Sequence, residues 1–218
     1  MRMAARFDLL LAQLVCSRLC HDLAGLTGAI ANGADLVAES SSGTDAEALA
    51  LIGQSARQAN ARIAFFRVAF GANAPAQTLA DVVALSEGVL AGGQVRLAPP
   101  SGAAARVRLD PDSVRLVLAL VMVGAGSLSR GGMVHVEAVE HAEGIEISLT
   151  AAGAGAAVKP ELAAALADSR TPETISPREV HALWAGILAR AMGGKVEMAT
   201  GEDMVRLAVR LPRDRVSH

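Results

Sequence analysis

Apolar and small residues recur at Ala12, Val15, Leu19, Leu23, Leu26, Ile30 and Val37, a helical spacing that predicts one long amphipathic helix from about Ala4 to Glu39. Ser40-Ser41-Ser42-Gly43 breaks it. Thr44 then reads as an N-cap with Glu47 three residues on, a capping box that opens a second helix running to about Phe70. Its stripe is Ile52, Ala56, Ala59, Ile63, Phe66 and Phe70, the alternating three-and-four step of a coiled-coil seam. Gly71 to Pro75 reads as a linker. Two long helices joined by a short turn form an antiparallel hairpin. A single hairpin has one internal interface and leaves apolar surface in water. Pairing with a second copy buries the rest in a four-helix bundle, so a homodimer is expected.

From Thr78 the pattern becomes mixed. Leu79–Leu90 reads as a helix, while Val95–Ala98 and Val107–Leu109 read as short strands. Asp110-Pro111 opens a very apolar helix to about Leu128, with Pro in the first turn where its missing donor does no harm. Met133–Val139 and Ile145–Thr150 alternate as strands around a turn near Glu143-Gly144. Ser176-Pro177 opens a helix that stops at Gly193-Gly194, and Val196–Ala199 and Val205–Leu211 close the chain as strands turned at Gly201-Glu202-Asp203. The expected class is α+β: a long helical hairpin over residues 1–74 forming a dimeric four-helix bundle, then an α/β-sandwich domain over residues 75–218.

Composition narrows the partners. Apolar residues make up 52% of the chain but aromatics only 2%, so the core must be built from Ala, Leu, Val and Ile. A net charge of −2 without a basic patch argues against nucleic acid. Cys16 and Cys20, four apart on one helix, cannot close a disulfide without breaking it and point to a reducing compartment. Apolar runs such as Val114 to Ala125 are too short and interrupted to span a bilayer, and Arg2 and Arg6 are not followed by a signal-peptide core. A soluble, cytoplasmic protein with no membrane partner is expected.

At 100° per residue, the face opposite the core stripe of helix one carries His21, Gly25, Gly28 and Asn32. Each mid-helix glycine costs roughly 1 kcal/mol relative to Ala. Either a partner surface approaches closely there, or the glycines permit tight packing within the bundle; the residues alone leave both open. Imidazole side chains titrate near pH 6.5, so the neutral ring is available as a nucleophile at physiological pH. Cys16, Cys20 and His21 are too crowded for tetrahedral ligation, so no metal is expected, and Cys20 reads as a small packing residue. His135, His141 and His181 read as structural, His218 as tail, and Trp184 as packing the second domain.

The run Arg18-Leu19-Cys20-His21-Asp22-Leu23 resembles the phospho-acceptor box of sensor histidine kinases, and its continuation Gly28-Ala29-Ile30-Ala31-Asn32-Gly33 is closer still to the ChpT-type histidine phosphotransferases of bacterial phosphorelays. Met192-Gly193-Gly194-Lys195-Val196-Glu197 and Val205–Pro212 resemble the last helix, Gly-Gly turn and closing hairpin of the kinase ATP-binding fold. The resemblance covers nearly the whole chain. It implies that His21 takes a phosphoryl group from a receiver-domain aspartate of a hybrid kinase and passes it to a response regulator, with Mg²⁺ supplied by the receiver and no cofactor of its own. It implies an orienting or basic role for Asp22 and docking on Gly25, Gly28 and Asn32. Arg18 shares the side of His21, where it screens phosphate or is a plain surface charge. Folding the hairpin near Ser42 brings Arg62 to the level of His21 as a further candidate. Asp22 follows His21 directly, and adjacent helical positions do not face each other, so by itself it reads equally as a solvated acid.

The departures decide the chemistry. Many kinases carry Pro five residues after the His, where this chain has Leu26. The first nucleotide box, which needs an Asp before Gly-x-Gly, is Ala151-Ala152-Gly153-Ala154-Gly155; the magnesium Asn has no counterpart in Val123-Gly124-Ala125-Gly126; and the second glycine box aligns with Glu179-Val180-His181-Ala182. A phosphate cradle needs glycines and free backbone donors, and Glu179 opposes one. A carrier without ATP binding is therefore the first expectation. A pseudokinase-like scaffold that only binds receivers and a divergent ATP-dependent kinase are the alternatives.

Overall fold

The computed structural model describes residues 2–39, 45–167 and 174–213. The break at Ser40–Gly43, the Thr44 cap and His218 lie outside the described residues. Helix α1 spans Arg2–Glu39 and α2 spans Asp45–Ala69, packed as an antiparallel hairpin. At the hairpin's close approach stands Gly33, where an added Cβ would sit 2.7 Å from Ile52 Cγ1. The buried side of α2 is Ala48, Ser55, Ala59, Phe65, Phe66 and Ala69. Two members of the expected stripes fall elsewhere: Ile63 is exposed, and so is Ala12 on α1. The inner face of α2 swings toward the second domain at its C-terminal end, which carries Phe65 inward and leaves Ile63 outside. By length and apolarity α1 qualifies over Arg6–Glu39 as a helix able to cross a bilayer. No unbroken apolar run marks it in the sequence, because Arg18, His21 and Asp22 interrupt it. Here it packs along α2 and against the start of α6, with an ion pair at mid-length.

The remainder is a mixed sheet with helices on one face. In chain order it comprises β1 (Gln77–Thr78), α3 (Leu79–Leu90), β2 (Val95–Leu97), β3 (Arg108–Leu109), α4 (Pro111–Gly126), β4 (Gly132–His141), β5 (Gly144–Ala152), α5 (Pro160–Leu166), α6 (Val180–Ala191), β6 (Glu197–Gly201) and β7 (Met204–Pro212). Five strands pair in the order β2-β4-β5-β7-β6, with β2 parallel to β4 and the other pairs antiparallel; β1 and β3 form a separate small ribbon. Period-two alternation sends Val134, Val136 and Ala138 inward opposite Ala151, Leu149 and Ile147, which in turn face Val205, Leu207 and Val209. Helix α4 covers these rows and is buried nearly all round. It starts where expected, with Asp110 capping the amides of Asp112 and Ser113 and Pro111 in the first turn. Gly124 lets it lie close to the sheet, since a Cβ there would meet Leu149 Cδ2.

Besides the packing of α1 on α6 and of α2 on α3, three sets of side chains tie the hairpin to this domain. Phe65 and Phe66 enter its core. Trp184 of α6 donates from Nε1 to the Ala69 carbonyl at 3.0 Å, with its ring tilted against Phe70 at 6.3 Å. Arg115 of α4 donates to the carbonyls of Gly71, at 2.9 and 3.2 Å, and Ala72, at 2.8 Å. Trp184 thus ties the second domain to the hairpin as well as filling it.

Candidate functional site

His21 lies midway along α1 with its side chain 66% exposed. Its Nδ1 is 3.3 Å from Oδ1 of Asp22. Asp22 itself is not a solvated acid: its side chain is 8% exposed. Adjacent helical positions are rotated by 100°, so Asp22 sits at the edge of the hairpin seam while its short side chain still reaches the neighbouring ring. Arg18, one turn earlier, donates from Nε to Asp22 Oδ2 at 2.8 Å. Arg62 of α2 donates to the Asp22 backbone carbonyl at 3.2 Å, and its Nη1 stands 4.0 Å from Oδ2. Arg18 therefore holds the carboxylate that abuts His21, and Arg62 from the other helix holds the backbone of the same residue. A carboxylate can only accept, so a hydrogen bond at this distance requires the proton on Nδ1, and the neutral ring then presents its lone pair at Nε2.

One and two turns further, Gly25 and Gly28 share the side of His21, and Asn32 beyond them is exposed. A Cβ added at Gly25 or Gly28 would meet nothing within 4 Å, so contacts within the chain do not explain these glycines. Cys16 and Cys20 are exposed thiols, so the packing role expected of Cys20 is not found. His135 pairs with Glu137 at 3.2 Å on the outer face of the sheet.

In two of the segments that match the nucleotide boxes, backbone donors are taken by the chain's own groups. In Ala151–Gly155, the Gly155 N–H donates to Asp203 Oδ1 at 2.7 Å and the Gly153 N–H to the Asp203 carbonyl at 2.9 Å. Asp203 adopts φ 54° in the β6–β7 turn to reach them. Before α6, Ser176 N–H donates to Glu179 Oε2 at 3.1 Å in a capping box. Glu179 is thus a cap that occupies a backbone donor. The sequence shows a missing carboxylate in the first box and missing glycines in the second, but carries no signal that Asp203, from the β6–β7 turn, takes the donors of Gly153 and Gly155.

A cavity of about 540 Å³ remains between α1 and the second domain, lined by Arg18, Met122, Lys159, Arg178, Glu179 and His181 among others. His181 is only 6% exposed, and neither ring nitrogen has a hydrogen-bond partner among the described residues. Burial pushes its pKa down to about 3; nearby Arg18 acts in the same direction and Asp22 opposes. Sequence reasoning took it for a plain structural residue.

Residues 79–204 match the family described as the histidine phosphotransferase C-terminal domain. The chain is 34% identical over 198 residues to the protein phosphotransferase ChpT of Brucella abortus (strain 2308), covering 89% of this chain and 93% of that protein. A solved bacterial phosphotransferase superposes with a TM-score of 0.79 at 29% identity, covering 93% of this chain and 96% of the other. The Acinetobacter baumannii histidine kinase AdeS shares the fold, with a TM-score of 0.51 at 10% identity over 89% of this chain and 98% of the kinase chain. Family match and identity over most of the length agree: the chain belongs to the histidine phosphotransferase family.

Proposed function

We propose that this phosphotransferase carries a phosphoryl group on Nε2 of His21 between receiver-domain aspartates and takes none from ATP. The observation that carries the reading is the His21–Asp22–Arg18 arrangement: an exposed ring, its Nδ1 at a carboxylate, and that carboxylate held by a guanidinium. In the first transfer the Nε2 lone pair attacks the phosphorus of an aspartyl phosphate. The P–O bond to the aspartate breaks, releasing its carboxylate, and an N–P bond forms. The ring keeps its Nδ1 proton and gains positive charge, which Asp22 offsets. The second transfer reverses these steps onto another aspartate. Mg²⁺ held by the receiver neutralises the transferring oxygens. Arg62 holds the backbone beneath the ring. Gly25, Gly28 and Asn32 form the surface against which the receiver lies.

Occupation of Gly155 N–H by Asp203 and of Ser176 N–H by Glu179 supports a protein without a phosphate cradle. Leu36, Leu49 and Ile63, exposed on the hairpin, support a homodimer. The reducing-compartment cysteines and the buried carboxylate of α1 favour a cytoplasmic location.

The test is incubation of the purified chain with a phosphorylated receiver domain and Mg²⁺, followed by assay for acid-labile phosphate. Label on the wild type and none on His21→Ala is expected. Label surviving that substitution would remove the site, no label from any receiver would leave a scaffold, and label from ATP alone would make it a kinase.

A further inference from the structure

We propose that the cavity between α1, α4, α5 and α6 binds a small organic anion bearing oxyanion groups and a hydroxyl, and that its occupancy is felt at His21 through Arg18. The cavity has the size of ordinary small-molecule sites, which run from about 300 to 1,000 Å³. Its cations come from separate segments: Arg18 on α1, Lys159 at the start of α5 and Arg178 just before α6. The carboxylates that line it are Glu161 and Glu179, and one oxygen of Glu179 is already taken by the Ser176 N–H. Leu90, Met122 and Leu162 supply an apolar wall, which suits an organic body better than a bare ion.

His181 is the independent observation. Folded proteins seldom leave buried polar atoms unpaired, yet both of its ring nitrogens lack partners among the described residues, in a side chain that lines this cavity. A neutral imidazole presents one N–H donor and one acceptor nitrogen. An oxyanion satisfies the first and a hydroxyl the second, which sets the ligand class. It is a different class from a nucleotide: at this cavity Glu179 takes the Ser176 N–H that a phosphate would use.

Arg18 supplies the link. Its Nε bonds Asp22, the residue also lines the cavity, and the guanidinium fork has further N–H groups to donate. A ligand drawing on the guanidinium competes with Asp22 and so changes how firmly the carboxylate holds the His21 ring. That consequence rests on the His21 reading above; binding itself does not.

Titration of the full chain with citrate, and separately with glycerol 3-phosphate, tests the site and separates carboxylate from phosphate ligands. The readout is the ¹H–¹⁵N ring resonances of His181, assigned with His181→Gln. A saturable millimolar shift with either probe, absent with chloride at equal ionic strength and lost in the exposed Lys159→Ala/Arg178→Ala double variant, is the expected result. No saturable shift with either probe, or one unchanged in the double variant, overturns the site. A response to ATP alone overturns the ligand class. Transfer from a phosphorylated receiver should change by roughly fivefold at saturating ligand. Binding without any change in rate overturns the coupling to Arg18. If instead His21→Ala still accepts phosphate, the His21 reading fails while the ligand site stands on its spectra.

Discussion

At the scale of single residues, Asp22 is the hinge of the site. It receives Arg18 on one oxygen and faces the His21 ring with the other. Asp22→Asn removes the charge that holds both. Phosphotransfer from a receiver should fall roughly a hundredfold, in the range of a lost acid–base partner, with the helical circular dichroism spectrum unchanged. Transfer within twofold of wild type would strip Asp22 of its role. The glycines give a paired prediction. Gly28→Ala adds a methyl into open space and should stabilise α1 by about 0.5–1 kcal/mol while weakening receiver affinity. Gly33→Ala drives a methyl against Ile52 and should destabilise by about 1 kcal/mol net, leaving affinity alone. Urea melts and receiver titrations of the two variants check both signs, and the same sign for both would refute the assignment. His21 was legible because a 100° step per residue fixes which way a helical residue points. Asp22 and Cys20 were not, because residues at the edge of a seam are decided by a few ångströms of helix rotation that only the packed partner sets.

Among the elements, α3 was legible to the residue, since Leu79–Leu90 has a full periodic stripe and a polar start. The alternation of β4 and β5 was equally plain, although the paired hairpin extends both beyond the alternating segment. Helix α5 was missed because its seven residues are too short for a helical period to register. The joint between hairpin and sheet was also invisible, because it depends on carbonyls rather than on side-chain types. Arg115 is the clearest case. It reads as one arginine in an apolar helix, yet its guanidinium gathers the carbonyls of Gly71 and Ala72 just after α2. Arg115→Met keeps the apolar stem and removes the donors; the Ala72 carbonyl is exposed and takes water instead, so stability should drop by about 1–2 kcal/mol. Amide exchange at residues 69–75 should speed up more than in α4 itself. Uniform acceleration throughout the chain would mean that Arg115 supports the core and is no clamp.

For the whole molecule, the buried His181 sets a pH dependence. Its folded pKa, about 3, lies below the ordinary 6.5, so on acidification the unfolded chain takes up this proton first. The stability is fully present above pH 6.5 and drains away between there and pH 3, at up to about 1.4 kcal/mol per pH unit. Between pH 7.5 and 5, wild type should therefore lose roughly 2 kcal/mol more than His181→Gln in urea melts, and parallel losses would contradict it. The larger-scale consequence concerns assembly. Leu49 and Ile63, 57% and 43% exposed, lie two heptads apart on one side of α2, with Leu36 of α1 exposed near the same end of the hairpin as Leu49. Ile63 was expected in the internal seam, and its outward position adds to the surface that a second copy would bury. Because each side chain is about half exposed, burying the two in each protomer contributes about 1 kcal/mol apiece, enough for their loss to shift a dimer by roughly two to three orders of magnitude in dissociation constant. At equal concentration, wild type is expected to sediment as a dimer and Leu49→Asp/Ile63→Asp as a monomer. Ile63 follows Arg62 at the level of His21, so phosphate acceptance is read on the single variant Leu49→Asp, whose change lies toward the hairpin turn; it should still accept phosphate if each hairpin presents a complete site. A double variant that remains dimeric would move the interface to another face of the hairpin.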